Sequence, residues 1–145
     1  MATAKATRGE RAAGAAIAVG CLALLVVSAW LRPEGAGHGT HEQLGLPACG
    51  WAVATGYPCP TCGMTTAFAH AADLELGRAI VAQPFAAAAA LATAAAFWAG
   101  LHVAVFGSRL GRIGGKLLSA RVLWWIAGAW GASWAYKVIV WNGGG

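Results

Sequence analysis

Three of the four cysteines, Cys49, Cys59 and Cys62, fall within one stretch, PACGWAVATGYPCPTCGMTT. Thiols gathered this tightly have three chemistries open to them: metal ligation, disulfide formation and thiol–disulfide exchange. In Cys59-Pro60-Thr61-Cys62-Gly63 the proline stiffens the turn, and the two intervening residues let both sulfurs face one point. The glycine permits the close or left-handed backbone that follows. A CPxCG turn is the half-site used in zinc knuckles, so a metal reading takes Cys49, Cys59 and Cys62 as ligands, with His70, His38 or His41 as the fourth and zinc as the cofactor. The second CxxC of a complete ribbon is absent. A redox reading takes Cys59 and Cys62 as the reacting pair, with helix-end amides acidifying the first thiol. No βαβ pattern surrounds the motif, which excludes a thioredoxin fold. A structural reading joins Cys49 to either partner by a disulfide, natural on an oxidising face.

The segments flanking this stretch are apolar. Hydrophobic residues make up 59% of the 145-residue chain and charged residues 10%, against roughly 25% charged in an average soluble domain. The reading is an all-α membrane protein with three transmembrane helices, and short interfacial helices between the first two. Residues 12–31 form the first span, 85–106 the second and 122–141 the third, each near the roughly twenty residues a helix needs to cross a bilayer. A cleaved signal peptide is the alternative for the first run, but its apolar core exceeds the usual ~7–15 residues. Cys21, inside that run, reads as a buried small hydrophobe. The alanines at 86–90 and 94–96 give the second span a smooth face, against which a partner helix, another membrane subunit or a second copy of the chain is expected to pack. In the third run Trp124 and Trp125 mark one interface, and Trp134, Tyr136 and Trp141 the other.

Charge placement sets the expected topology. Lys5, Arg8 and Arg11 precede the first span, and Arg109, Arg112, Lys116 and Arg121 lie between the second and third, so seven of ten basic residues flank the bundle on one side. That pattern places residues 1–11 and 107–121 in the cytoplasm of a multi-pass cell-membrane protein. The cysteine segment, 32–84, and the tail, 142–145, are then external. His102 and Lys137 lie near helix ends, where interfacial snorkelling accounts for them. The net charge of +5 is not clustered between aromatics, so no nucleic-acid partner is implied. No acid/base pair, phosphate loop or nucleophile triad is present, which leaves little room for ordinary soluble enzyme chemistry.

Within the external segment, Leu44 to Tyr57 is apolar enough to lie in the headgroup region or against the bundle. Thr65 or Thr66 is expected to cap a short surface helix carrying Met64, Phe68 and His70. Asp73 is expected to cap a second, running through Leu76 and Ile80 to Pro84.

The run GYPCPTCGMTTAF, followed by Ala72-Asp73-Leu74 and then Gln83-Pro84, resembles a family of small bacterial multi-pass membrane proteins of unknown function. Its signature reads approximately G-x-P-C-P-x-C-G-x-T-R, then Gly-Asp, then Asn-Pro. The resemblance spans about Cys49 to Phe85. Pro58, Cys59, Pro60, Cys62, Gly63 and Thr65 coincide with it, and Cys49 is similar to an upstream cysteine of many members. Thr66, Ala72 and Gln83 depart from the usual arginine, glycine and asparagine. The resemblance implies a topology and a thiol site, and no established activity.

Overall fold

The computed structural model describes residues 6–108 and 119–141. Lys5, Arg109, Arg112, Lys116 and the 142–145 tail, on which part of the expected topology rests, lie outside those residues. Among the described residues the chain is all-helical. Its elements are α1 (Arg8–Trp30), a 3₁₀ turn (Thr40–Leu44), α2 (Gly50–Thr55), α3 (Met64–Ala72), α4 (Leu76–Ala82), α5 (Pro84–Phe106) and α6 (Ala120–Ile139).

The two long helices form the frame. Helix α1 opens with a capping box: the Thr7 hydroxyl accepts from the Glu10 N–H, and the Glu10 carboxylate accepts from the Thr7 N–H at 2.7 Å, which satisfies two donors that have no partner in the first turn. Its neighbour α5 lies against it at a glycine contact. A Cβ on Gly100 would stand 2.7 Å from the Gly14 carbonyl oxygen, and one on Gly14 would stand 2.9 Å from the Gly100 oxygen. Small residues at this crossing let the two backbones touch. Arg11 then donates to the Ala104 and Val105 carbonyls at 2.9 and 3.3 Å, filling acceptors that the last turn of α5 leaves open.

Helices α1 and α5, 23 residues each, are long and apolar enough to cross a membrane. Only 17% of the most apolar window of either is buried within the chain, so neither is the enclosed core helix of a globular domain. The third expected span is corrected. Helix α6 forms over that run, but among the described residues two helices qualify as spans, not three. Its sequence, ARVLWWIAGAWGASWAYKVI, interrupts the apolar residues with Gly128, Gly131, Ser133, Tyr136, Lys137 and four tryptophans, and its polar atoms serve the rest of the fold.

Helices α3 and α4 fold back as a hairpin against the start of α5. Ala67, Ala79, Ala82, Ala86 and Ala87 meet there, with Met64, Phe68 and Ala71 packed around them. Alanine at these contacts lets three helices converge, and the hairpin covers the first alanines of the second span's smooth face. Helix α3 is embedded rather than superficial, with Thr66, Ala67, Ala69 and His70 buried, whereas α4 buries only Ala79 and Ala82 and remains a surface helix. Both expected caps differ as well. Gly63, in the left-handed region at φ 87°, occupies the N-cap of α3, Asp73 ends α3, and Glu75 precedes α4 with no side-chain cap. Thr66 is drawn inward instead, its hydroxyl 2.8 Å from that of the fully buried Thr40.

Pro84 begins α5 as its residue type favours. Gln83 caps the helix: its side-chain oxygen accepts from the Ala86 N–H at 3.1 Å.

The glycine contact makes a direct prediction. Gly100→Ala is expected to cost about 1–3 kcal/mol through overpacking against backbone, read as a lowered unfolding midpoint in detergent. Gly20→Ala, facing open space, should leave the midpoint unchanged or raise it by up to ~1 kcal/mol equivalent.

Candidate functional site

The cysteine turn is built by its own backbone. The Cys62 N–H donates to the Cys59 carbonyl at 3.0 Å and the Met64 N–H to the Thr61 carbonyl at 3.1 Å, which closes the loop and leads into α3. Gly63 admits no side chain, because a Cβ there would lie 2.7 Å from the Gly37 carbonyl oxygen and 3.0 Å from that of Ala82.

The loop leaves carbonyls that no helix or strand can satisfy. Donors from elsewhere meet them. The Trp134 indole N–H donates to Pro58, the Gln83 amide to Pro60 and the Trp141 indole N–H to Gly56, at 3.0, 3.3 and 3.0 Å. Lys137 donates to both Gly37 and Ala82 at 3.0 Å. Residues 134, 137 and 141 recur at helical spacing on one face, so α6 and the residues just after it hold the loop from one side. Lys137 is 5% exposed, which corrects the expectation that it snorkels. Trp134, Tyr136 and Trp141 likewise direct their polar atoms at the loop and at the Val81 carbonyl. Trp124 and Trp125 remain exposed.

Cys49, Cys59 and Cys62 line one cavity of about 580 Å³, together with His38, His41, Glu42, Met64 and Trp141. Cys49 enters as the residue preceding α2, a helix that buries none of its own residues. All four cysteines are free thiols, and Cys62 is buried whereas Cys59 is partly exposed. The two thiols of the motif are set apart electrostatically. Burial pushes Cys62 up to about 11, the Cys59 charge adds to that, Lys137 opposes it and Cys49 adds again. Burial also pushes Cys59 up, but hydrogen bonds from the Thr61 hydroxyl, from Cys49 and from the Thr61 N–H outweigh it and leave that thiol below its ordinary value. The Thr61 hydroxyl sits 3.3 Å from the Cys59 sulfur. These local donors, rather than the end of α3, are what acidify it.

Of the four residues of the metal reading, Cys49, Cys59 and Cys62 line this cavity and His70 does not. His70 stands apart from the cavity, its Nδ1–H donating to Glu75 at 2.8 Å, while Arg78 holds the other Glu75 oxygen at 3.0 Å. No group of three or more His, Cys, Asp or Glu side chains among the described residues could hold a metal ion. His38 and His41 do reach the cavity. His38 stacks on Trp141 with ring centroids 4.5 Å apart, and burial, then Lys137, lower its pKa. The His41 Nε2–H donates to the Pro47 carbonyl at 3.2 Å.

Residues 47–98 match the model of a family described as a protein of unknown function (DUF2752). The match contains the stretch over which the sequence resemblance was read and ends within α5, so α1 and α6 lie outside it. No curated protein and no solved structure matches the chain.

Sequence reading missed Thr40, Gln83, Trp134, Lys137 and Trp141 as supports of the site. The Gln-Pro step at a helix start signals Gln83, and the 134/137/141 spacing signals a shared face. Nothing local marks Thr40.

Alkylation at neutral pH should modify Cys59 ahead of Cys62, with Cys62 gaining reactivity only toward pH 11; peptide mapping after timed iodoacetamide exposure checks the order. The His70 hydrogen bond, then Arg78, hold the Glu75 carboxyl below its usual value. A depressed carboxylate stabilises the fold above its unfolded pKa and ceases to as the pH falls through the folded one. Glu75→Gln should therefore flatten the acid limb below about pH 4.5, measured by helical circular dichroism.

Proposed function

We propose that this chain is a membrane-embedded thiol–disulfide exchange protein in which Cys59 is the attacking thiol and Cys62 the resolving one. One observation carries the reading: the two sulfurs of a single turn occupy opposite settings, one partly exposed with stabilising donors, the other buried with its proton held tightly. Exchange uses that inequality, since the attacking thiol must ionise near ambient pH while the second must wait.

In the proposed reaction the Cys59 thiolate attacks one sulfur of a partner disulfide. A bond forms between Cys59 and that sulfur, the partner's S–S bond breaks, and its second sulfur leaves as a thiolate. Cys62 then gives up its proton and attacks the Cys59 sulfur. The Cys59–Cys62 disulfide forms and the partner's remaining sulfur departs as a thiolate, so the partner gains two electrons and the dithiol loses two. A second dithiol must return the pair to thiols for another turn.

Membrane placement is part of the proposal. It is supported by the two long apolar helices whose surfaces the chain leaves uncovered. Arg8 and Arg11 sit at the end of the bundle opposite the cysteines, which favours a cytoplasmic amino terminus and an external thiol site.

Trapping tests the chemistry. A Cys62→Ser chain in membranes should accumulate mixed disulfides through Cys59, seen as reductant-sensitive adducts on non-reducing gels, and Cys59→Ser should abolish them. Equal adduct yield from both variants would reject the assignment.

A further inference from the structure

Lys137 is a buried cation without an anionic partner. It is 5% exposed, its two hydrogen bonds go to the neutral carbonyls of Gly37 and Ala82, and the ion pairs among the described residues involve only His70, Glu75 and Arg78. A charge removed from water in this way is costly unless something compensates it. Its position is informative. The Nζ would lie 3.3 Å from a Cβ on Gly63, the residue that follows Cys62, and its charge acts on the Cys62 thiol.

We propose that Lys137 is the positioning residue for the second half of the exchange: its ammonium, pinned by two carbonyls beside Cys62, receives the negative charge of that sulfur once Cys59 has been consumed in a mixed disulfide. The inference rests on the roles proposed above for Cys59 and Cys62. Before the first step the Cys59 thiolate and Lys137 act on Cys62 in opposite directions, and the proton stays. Formation of the mixed disulfide removes the Cys59 charge, which leaves burial and Cys49 against ionisation and Lys137 in favour of it. The other groups facing the cavity are His38 from the loop before the 3₁₀ segment, His41 and Glu42 from that segment, and Cys49 ahead of α2. Of these, Cys49 opposes ionisation of Cys62. Among the described residues Lys137 is the one cation whose charge acts on that thiol. The sequence of events is therefore ordered by charge: attack at Cys59 is what releases Cys62.

An aromatic disulfide that liberates a coloured thiolate separates the two steps. With 5,5′-dithiobis(2-nitrobenzoate), attack by Cys59 releases one thionitrobenzoate and resolution by Cys62 releases the second, so two phases appear at one wavelength. The full chain carrying Cys21→Ala and Cys49→Ser is used, leaving Cys62 as the resolving thiol. Lys137→Gln retains donors for the carbonyls but loses the charge, whereas Lys137→Arg keeps both.

Loss of the charge should slow the second phase by about three- to fourfold for each unit by which the Cys62 pKa rises, because the tenfold smaller thiolate fraction is partly offset by greater nucleophilicity. The first phase, which also reports intact folding, should be unchanged, and Lys137→Arg should restore the second. A second phase that is unaltered in Lys137→Gln, or slowed equally in Lys137→Arg, overturns the proposal. Should the glutamine variant fail to fold, the unsubstituted chain decides: its second phase should level off below the value of about 11 that holds for Cys62 beside the Cys59 thiolate, and a rate still climbing tenfold per pH unit through pH 11 overturns it. Absence of any second phase in the parent chain, with a normal first phase, would instead reject the resolving role of Cys62 itself.

Discussion

The whole arrangement depends on satisfying backbone carbonyls in the loops around the cysteine turn and at the end of α4. Gly37, Gly56, Pro58, Pro60 and Ala82 each present an acceptor near the thiols, and each receives a side-chain donor. A typical hydrogen bond of this kind contributes about 1 kcal/mol net, but an unmet buried acceptor costs about 1–3 kcal/mol. The loop is thus held less by attraction than by the penalty for leaving any one acceptor bare. Four of those five donor contacts come from α6 and Trp141, so the C-terminal helix fixes where the cysteines stand without contributing a thiol itself.

That division explains what was legible in the sequence and what was not. The CPTCG turn, the two short helices after it, and the Gln83-Pro84 start of α5 are local patterns, and they fold as their residue types dictate. The uncharged runs of α1 and α5 are legible for the same reason. The third span is different. Tryptophan, tyrosine and lysine near the end of an apolar run look like interfacial anchors, yet Trp134, Tyr136 and Lys137 spend their polar atoms on carbonyls 55 to 100 residues away in sequence. A periodicity reading sees the donors and cannot see the acceptors. Thr66 fails as a cap for a related reason, since Thr40 offers it a buried hydroxyl that no local pattern announces. His70, which looks like a fourth ligand by spacing, is claimed by Glu75 five residues on.

Small residues do the complementary work of bringing backbones together. Gly14 and Gly100 allow α1 and α5 to touch, and the alanines of α3, α4 and α5 allow the hairpin to sit on the head of α5. Gly63 combines both roles. Its left-handed φ is open to glycine without strain, and the carbonyls of Gly37 and Ala82 close over the place where a side chain would be. Those two carbonyls are also the acceptors of Lys137. The turn, the loop before the 3₁₀ segment and the end of α4 therefore meet at one point, and the ammonium occupies it.

Convergence at that point ties the structure to its chemistry. A cysteine turn stabilised by its own sequence would hold the two sulfurs in place but give them similar surroundings. Here Cys59, partly exposed, has the hydroxyl of Thr61 and the thiol of Cys49 as partners, while Cys62, lining the same cavity, is buried, with the Lys137 charge acting on it. The difference between the thiols follows from the burial of Cys62 and the local donors to Cys59. A helix that reads from its sequence as another membrane crossing supplies, in the folded chain, donors to the backbone carbonyls around both thiols.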